Sequence, residues 1–299
     1  MLHLTLRQLK VFEAVARNLS FSRAAEELHL TQPAVSMQVK QLEDNAGLPL
    51  LEQVGKKIFL TDAGREMHHY SRAIAQQLAD LEATLGELKG LDRGKLNIAV
   101  VSTANYFAPQ LIAKFCQRHS GVTVSLQVSN SEAVLKLLAD NETDLAVMGM
   151  PPQDGSVTSE VFMENPLVVI APPQHPLCKA KHIPVKRLEQ EIFLVRESGS
   201  GTRNAMERFF ASHLINLNKG METGTNEAIK QAVQAGMGLG IVSVHTAELE
   251  LKAKRLKVLD VVDFPIMRHW HIVHRENKRL PLVAKAFREF LLKEANKLI

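Results

Sequence analysis

Gln32, Ser36, Gln38 and Lys40 stand off the apolar stripe Val35, Val39 and Leu42 of one helical stretch. An amide can pair bidentately with adenine, a hydroxyl tolerates several base edges, and an ammonium suits phosphate. The chemistry on offer is the reading of double-stranded DNA. A second set of groups lies far downstream. Ser198-Gly-Ser-Gly-Thr-Arg203 combines glycines that admit close backbone approach with hydroxyls, Thr202 among them, and the Arg203 guanidinium, which equips it to hold a phosphate or carboxylate. Ser102 and Thr103, Asn130 and Ser131, and Asn226 stand at similar junctions between elements, where free backbone N–H groups favour anions. Serine and threonine also cap helices for stability alone, and each hydroxyl segment taken singly is explained as well that way.

Three short helices must present the first set. Thr5 and Gln8 have capping-box spacing, followed by Leu6, Leu9, Phe12 and Val15. Ser20 can cap a second helix with Phe21, Ala24, Ala25 and Leu28 inward, and Thr31 can cap the third through its hydroxyl, with Pro33 in the first turn. Such a third helix reads bases through its N-terminal half. Ser22, Arg23, Thr31 and Pro33 therefore join Gln32, Ser36, Gln38 and Lys40 as expected DNA contacts. The run 49–60 reads as two short strands turning at Gly55, a wing whose Lys56 and Lys57 would reach phosphate. Beyond it, Met67, Tyr70, Ile74, Leu78, Leu81, Leu85 and Leu88 form a narrow seam of a long helix that wants a partner helix.

From Gly94 the pattern changes to strands (96–101, 122–128, 144–148, 167–170, 192–195, 240–244) separated by helices (107–118, 131–139, 202–212, 226–235). This α/β region has Pro-containing crossings near 165 and 265, which suggests two lobes sharing a cleft. Arg196 then serves either the bound anion or a salt bridge between the lobes. The glycines of Gly236-Met-Gly-Leu-Gly240 follow a helix and precede a strand, the reverse of a nucleotide-binding order, and read as a helix stop. His269, His271 and His274 fit a partly exposed strand better than a zinc site. No Ser-His-Asp or Cys-His set can be assembled from local sequence, which weighs against an enzyme on this scaffold.

The chain has 299 residues, 45% hydrophobic and 23% charged, with net charge +4, which suits two or three soluble domains. No segment has the apolar length of a membrane span, and the N-terminus lacks the continuous apolar stretch of a secretory signal, so a cytoplasmic protein is expected. The lone cysteines Cys116 and Cys178 suit packing in a reducing compartment. Over the first sixty residues acids nearly balance bases, so gross charge does not reveal DNA binding and a single copy should bind weakly.

Leu9-Lys-Val-Phe12, Ser20-Phe-Ser-Arg-Ala-Ala-Glu-Glu-Leu28, Thr31-Gln-Pro-Ala-Val-Ser-Met-Gln-Val-Lys-Gln-Leu-Glu43 and Leu60-Thr-Asp-Ala-Gly64 together resemble LysR-type transcriptional regulators. The resemblance implies a winged helix-turn-helix over 1–60, a dimerising linker helix over 61–90 and a two-lobed, periplasmic-binding-protein-like effector domain over 91–299. One lobe would take about 91–163 and 268–299, the other about 164–267. It further implies promoter DNA, a homodimer that doubles to a tetramer, a small effector in place of any cofactor, and RNA polymerase as partners. Leu51, Gln53 and Met37 depart from the Phe, Arg and Arg common in the family, which removes a phosphate contact from the wing's lead-in. Ser36-Met-Gln-Val-Lys-Gln-Leu42, Val101–Pro109 and Arg196–Arg203 are similar to the subgroup that controls carbon dioxide fixation (Calvin cycle, RuBisCO) operons and answers to phosphorylated sugars or acids or to energy status. A regulator of an unrelated operon, a solute-binding protein and an enzyme are the alternatives; the last two leave residues 1–90 without a purpose.

Overall fold

The computed structural model describes residues 3–55, 57–87 and 94–299; Lys56 and Leu88 lie outside these, and so does the side chain of Leu85. The chain divides into two compact units, the first centred on residues 1–85 and the second on the remainder.

In the first unit, α1 (Leu6–Asn18) opens on the expected capping box: Thr5 Oγ1 accepts from the Gln8 amide at 3.2 Å, and Gln8 Oε1 from the Thr5 amide at 2.9 Å. Helix α2 (Phe21–Glu27) is capped by Ser20, and α3 (Gln32–Ala46) stops at Gly47, whose φ of +71° suits a residue without Cβ. Phe12, Val15, Ala24, Val35, Val39 and Leu42 close the core between them. Thr31 sits at the N-cap of α3 but its hydroxyl makes no capping bond, contrary to expectation. Pro33 in the first turn already removes one of the donors that a cap would serve.

Strands β1 (Leu51–Val54) and β2 (Lys57–Leu60) pair antiparallel through a turn at Gly55. Glu43 Oε1 accepts from the Leu50 and Leu51 amides at 2.8 and 3.1 Å, tying the wing to α3. Helix α4 (Asp62–Glu87) starts where Thr61 Oγ1 donates to the Pro49 carbonyl at 2.7 Å and accepts from the Gly64 amide at 3.0 Å. A Cβ at Gly64 would lie 1.9 Å from the Leu50 carbonyl oxygen, so only glycine fits. Met67 and Ile74 pack on the helix-turn-helix core, while Tyr70, Leu78 and Leu81 are 61%, 38% and 52% exposed. The apolar seam thus has two uses, because the core reaches only the first turns of the helix.

In the second unit the strands are β3 (Gly94–Val101), β4 (Val122–Ser129), β5 (Leu145–Met148), β6 (Val157–Glu164), β7 (Leu167–Ala171), β8 (Ile192–Arg196), β9 (Asn218–Thr223), β10 (Leu239–Ser243), β11 (Lys257–Val258) and β12 (His269–Arg275). The helices are α5 (Ala108–Arg118), α6 (Ser131–Ala139), α7 (Gly201–Ser212), α8 (Asn226–Gln234), α9 (Glu248–Lys252) and α10 (Leu282–Leu298). Among the described residues two five-stranded sheets form, in the orders β4-β3-β5-β12-β6 and β11-β7-β10-β8-β9. Their centres are parallel, and β12 and β7 run antiparallel to their neighbours. Trp270, Phe115, Phe287 and Ile98 fill the first lobe. Phe193, Phe210 and Leu239 fill one face of the second, Ile170, Ile229 and Val233 the other. Parallel strands bury both faces under helices, which is why they read as continuous apolar runs.

The chain passes between the lobes after β6 and again before β12. The two crossing strands bond to each other: the Asn165 amide donates to the Arg268 carbonyl at 2.7 Å, and Leu167 and Ile266 exchange two bonds of 3.0 Å. No helix among the described residues is long and apolar enough to cross a membrane.

Candidate functional site

Helix α3 presents Thr31, Gln32, Pro33 and Lys40 to solvent, with Ser36 half-buried beside them. Ser22 and Arg23 are exposed at the start of α2, and Lys57 is exposed on the wing. Among the described residues Arg23, Lys40 and Lys57 make no ion pair, whereas Arg17, on α1, is tied to Glu13 at 3.0 Å and to Glu27. Those two carboxylates hold the Arg17 guanidinium well above its ordinary range. Unpaired cations around α3 are what phosphate contacts require, and the paired one is spent on the fold. Gln38, two residues on from Ser36, turns to nearly the opposite flank and is half-buried, so it is not gathered with the others.

Between the two lobes lies a small cavity. The first lobe lines it with Ser102, Thr103, Asn130, Ser131 and Gly149, and the second with Arg196, Ser200, Gly201 and Thr202. The crossing strands add Asn165 and Arg268. Helices α6 and α7 both begin here, so each lobe aims the positive end of a helix dipole at the same point. Asn130 Oδ1 caps α6 by accepting from the Ala133 amide at 2.9 Å, while Ser200 at the start of α7 makes no capping bond. The space measures about 10 Å³, room for about one water molecule, so the lobes are nearly closed and the lining side chains would have to draw back around any larger guest.

Three arginines in or beside this cleft differ in what neutralises them. Arg196 is buried and fully engaged: Glu197 takes Nε and Nη2 at 2.7 and 2.9 Å, Asn226 Oδ1 takes Nη1 at 2.6 Å, and Ser102 Oγ across the cleft takes Nη2 at 3.1 Å. Its salt bridge stays within one lobe, and a hydrogen bond makes the link between lobes. Asn226 is buried behind Arg196 as its support and does not line the cavity. Arg203 was the expected anion donor, yet it too is spent, on Glu222 at 2.6 Å and Glu207 at 3.0 Å, and it lies off the cavity. One residue further along α7 than Thr202, it points about 100° round the helix, where Glu207 waits one turn on.

Arg268 has no carboxylate within ion-pair distance among the described residues. Its Nη1 donates to the Gly201 carbonyl at 3.0 Å. Burial, with Arg208 nearby, pulls its pKa down to about 10, so it remains a cation at neutral pH. Beside it Asn165 is 2% exposed, and its Oδ1 has no hydrogen-bond partner. A Cβ at Gly149 would come within 2.8 Å of both side chains, so that glycine makes room for them. Arg268, Asn165 and Gly149 escaped sequence reading because none belongs to a hydroxyl-rich segment. Their proximity to the Pro-containing crossings was the available signal. His269 and His271, on β12, flank buried Trp270 and line no part of the cavity.

A partly buried, uncompensated guanidinium, two helix N-termini and a ring of hydroxyls favour a small anion. No nucleophile with an adjacent base is assembled in the cavity.

Comparison with known proteins bears on both regions. Residues 6–65 match the bacterial regulatory helix-turn-helix protein family, lysR type, and residues 89–296 match the LysR substrate binding domain. A RuBisCO operon transcriptional regulator of Allochromatium vinosum is 57% identical over 294 residues, covering 98% of this chain and 97% of the relative. The HTH-type transcriptional activator CmpR of Synechocystis is 46% identical, covering 96% and 94%. The regulatory domain of Synechocystis CcmR, solved in complex with 2-PG, is 40% identical with a TM-score of 0.65, covering 67% of this chain and 96% of that one. This chain belongs to the LysR family of bacterial transcriptional regulators; it is a DNA-binding, ligand-responsive regulator and not an enzyme.

Proposed function

We propose that this LysR-type regulator controls a carbon-fixation operon of the RuBisCO kind and senses a small phosphorylated acid in the cavity between its lobes. The target rests on the near full-length relatives, whose names place them at such operons. The ligand class rests on one observation above the rest, the Arg268 guanidinium that lines the cavity without a carboxylate. Ser102, Thr103, Asn130, Ser131 and Thr202 would donate to the same anion, with Arg196 and Asn226 holding the wall behind them. The relative's complex with 2-PG agrees with that chemistry.

The chain would act in the cytoplasm, divided after about residues 60 and 90. Gln32 and Ser36 would read bases from the major groove, with Thr31, Arg23, Lys40 and the wing on phosphates. Exposed Tyr70, Leu78 and Leu81 would pair two copies through α4, and pairs would assemble as a tetramer. An effector with different affinity for open and closed lobes would shift how those pairs sit on promoter DNA and meet RNA polymerase.

The test is a mobility shift on DNA upstream of the neighbouring carboxylase operon, with and without 2-PG, beside thermal melts over 2-PG, glycolate and inorganic phosphate. The reading requires salt-sensitive, sequence-dependent binding and a melting rise with 2-PG that exceeds the rise with glycolate. Equal binding to unrelated DNA overturns the target, and an unchanged melt overturns the ligand class.

A further inference from the structure

Away from the cavity the lobes meet at a second cluster. Lys230 on α8 is 2% exposed, and its ammonium meets Glu227 Oε1 at 2.9 Å, Glu250 Oε1 at 2.8 Å and the Thr246 carbonyl at 2.8 Å. All four residues belong to the second lobe. One cation against two carboxylates leaves this cluster an excess negative charge, and Glu250 Oε2 is buried with no partner among the described residues. Tyr106, just after β3 in the first lobe, reaches this cluster. Its ring lies 4.8 Å from the Lys230 ammonium, and its hydroxyl donates to Glu227 Oε1 at 2.6 Å.

The phenol is well suited to that place. Burial and the Glu227 carboxylate push its pKa far above the ordinary tyrosine value, so it stays a donor. A carboxylate-bound phenol makes a charge-assisted bond, stronger than a neutral pair. The other bonds that join the lobes near the ligand, Arg196 to Ser102 and Arg268 to Gly201, use donors and acceptors that line the cavity, where an anion competes for them. Tyr106 does not line the cavity, and no ligand there displaces it.

We propose that Tyr106 is a positioning residue for effector binding: its bond to Glu227 fastens the closed lobes and so sets how long the effector is held, without touching it. A bond present only in the closed state multiplies the closed population, and release requires opening. Losing one charge-assisted bond, with the hydroxyl otherwise returning to water, should change that balance about tenfold.

The effector part of this inference rests on the ligand reading above, so the experiment has one arm with ligand and one without. In the full chain, Tyr106→Phe and Glu227→Gln should each raise the Kd and the dissociation rate of 2-PG about tenfold, and the double variant should be no worse than either single one. Operator affinity without 2-PG should not change. An unchanged Kd, or additive effects of the two substitutions, overturns the role. Without ligand, amide hydrogen exchange at residues 102–103 and 200–203 should accelerate about tenfold in Tyr106→Phe, because opening exposes both rims of the cavity. Unchanged exchange overturns the fastening even if wild type fails to bind 2-PG, a failure that would overturn the ligand reading alone. Phenylalanine keeps the ring over Lys230, so a melting temperature lowered by no more than about 5 °C, the fall expected for one lost bond, separates loss of the bond from loss of fold.

Discussion

The outer face of α3 and the cavity between the lobes both gather polar side chains, and they leave them in opposite conditions. Around α3, Arg23, Lys40 and Lys57 stand unpaired in water, with their solvation intact, on elements adjacent in sequence. In the cavity Arg268 is partly buried with no carboxylate beside it among the described residues and Asn165 is buried with its Oδ1 unpartnered, and the lining comes from segments up to 167 positions apart, from Val101 to Arg268. The first arrangement suits a large, rigid polyanion that arrives with its own counterions to release. The second suits a small anion that replaces lost solvation, and its energy per group is larger because the surroundings are less polar.

The DNA-facing unit and the effector unit should melt independently. Gly64→Ala should drive its Cβ into the Leu50 carbonyl and destabilise the DNA-binding unit by about 3 kcal/mol, leaving the effector unit's own melting transition in place. Calorimetry that shows both transitions moving together would join what the fold separates. Next in size, Arg268→Gln should weaken 2-PG binding about 100-fold with unchanged operator affinity in its absence, as titration calorimetry and mobility shifts would read. Gln32→Ala should flatten discrimination among operator variants by about tenfold, while Lys57→Ala should weaken all sequences alike and lower the salt slope by about one. Smallest of all, Arg203→Ala should change 2-PG affinity by no more than about threefold, since Glu207 and Glu222 already occupy that guanidinium. A loss as large as that of Arg268→Gln would restore Arg203 as the anion donor.

The same contrast explains what the sequence made legible. Capping at Thr5 and Ser20, the stripe Val35-Val39-Leu42 and the turn at Gly55 are local rules, and each appears in the structure where periodicity put it. The parallel strands β3, β5, β8 and β10 declared themselves as buried apolar runs. Strand β6 mixes Thr158, Glu160 and Glu164 with Val161 at a sheet edge, and β9 carries Gly220 where it approaches Ile192, so neither showed a clean alternation. Whether an arginine is paired is only partly a local fact: Glu207, four residues on from Arg203, was in reach of sequence reading, and Glu222 was not. Arg203 looked available beside its hydroxyls, but Glu222 neutralises it from a neighbouring strand. Arg268 stands in no hydroxyl-rich segment, and only the fold brings it beside Asn165. Seam residues showed the same limit: spacing placed Met67, Ile74, Leu78 and Leu81 on one face, but not where the core beneath that face ends.

Asn165 and Arg268 are bonded backbone to backbone in the two strands that carry the chain between lobes. Recognition and pivot therefore coincide. In any rotation about an axis, displacement is smallest near the axis and grows with distance from it, so in the proposed opening and closing Arg268 and Asn165 would move least while the far ends of the lobes would sweep farthest. A mechanical engineer would call this a lever loaded at its fulcrum. It trades force for travel, and it would let a ligand that shifts a guanidinium by a fraction of a bond length command a surface many residues away.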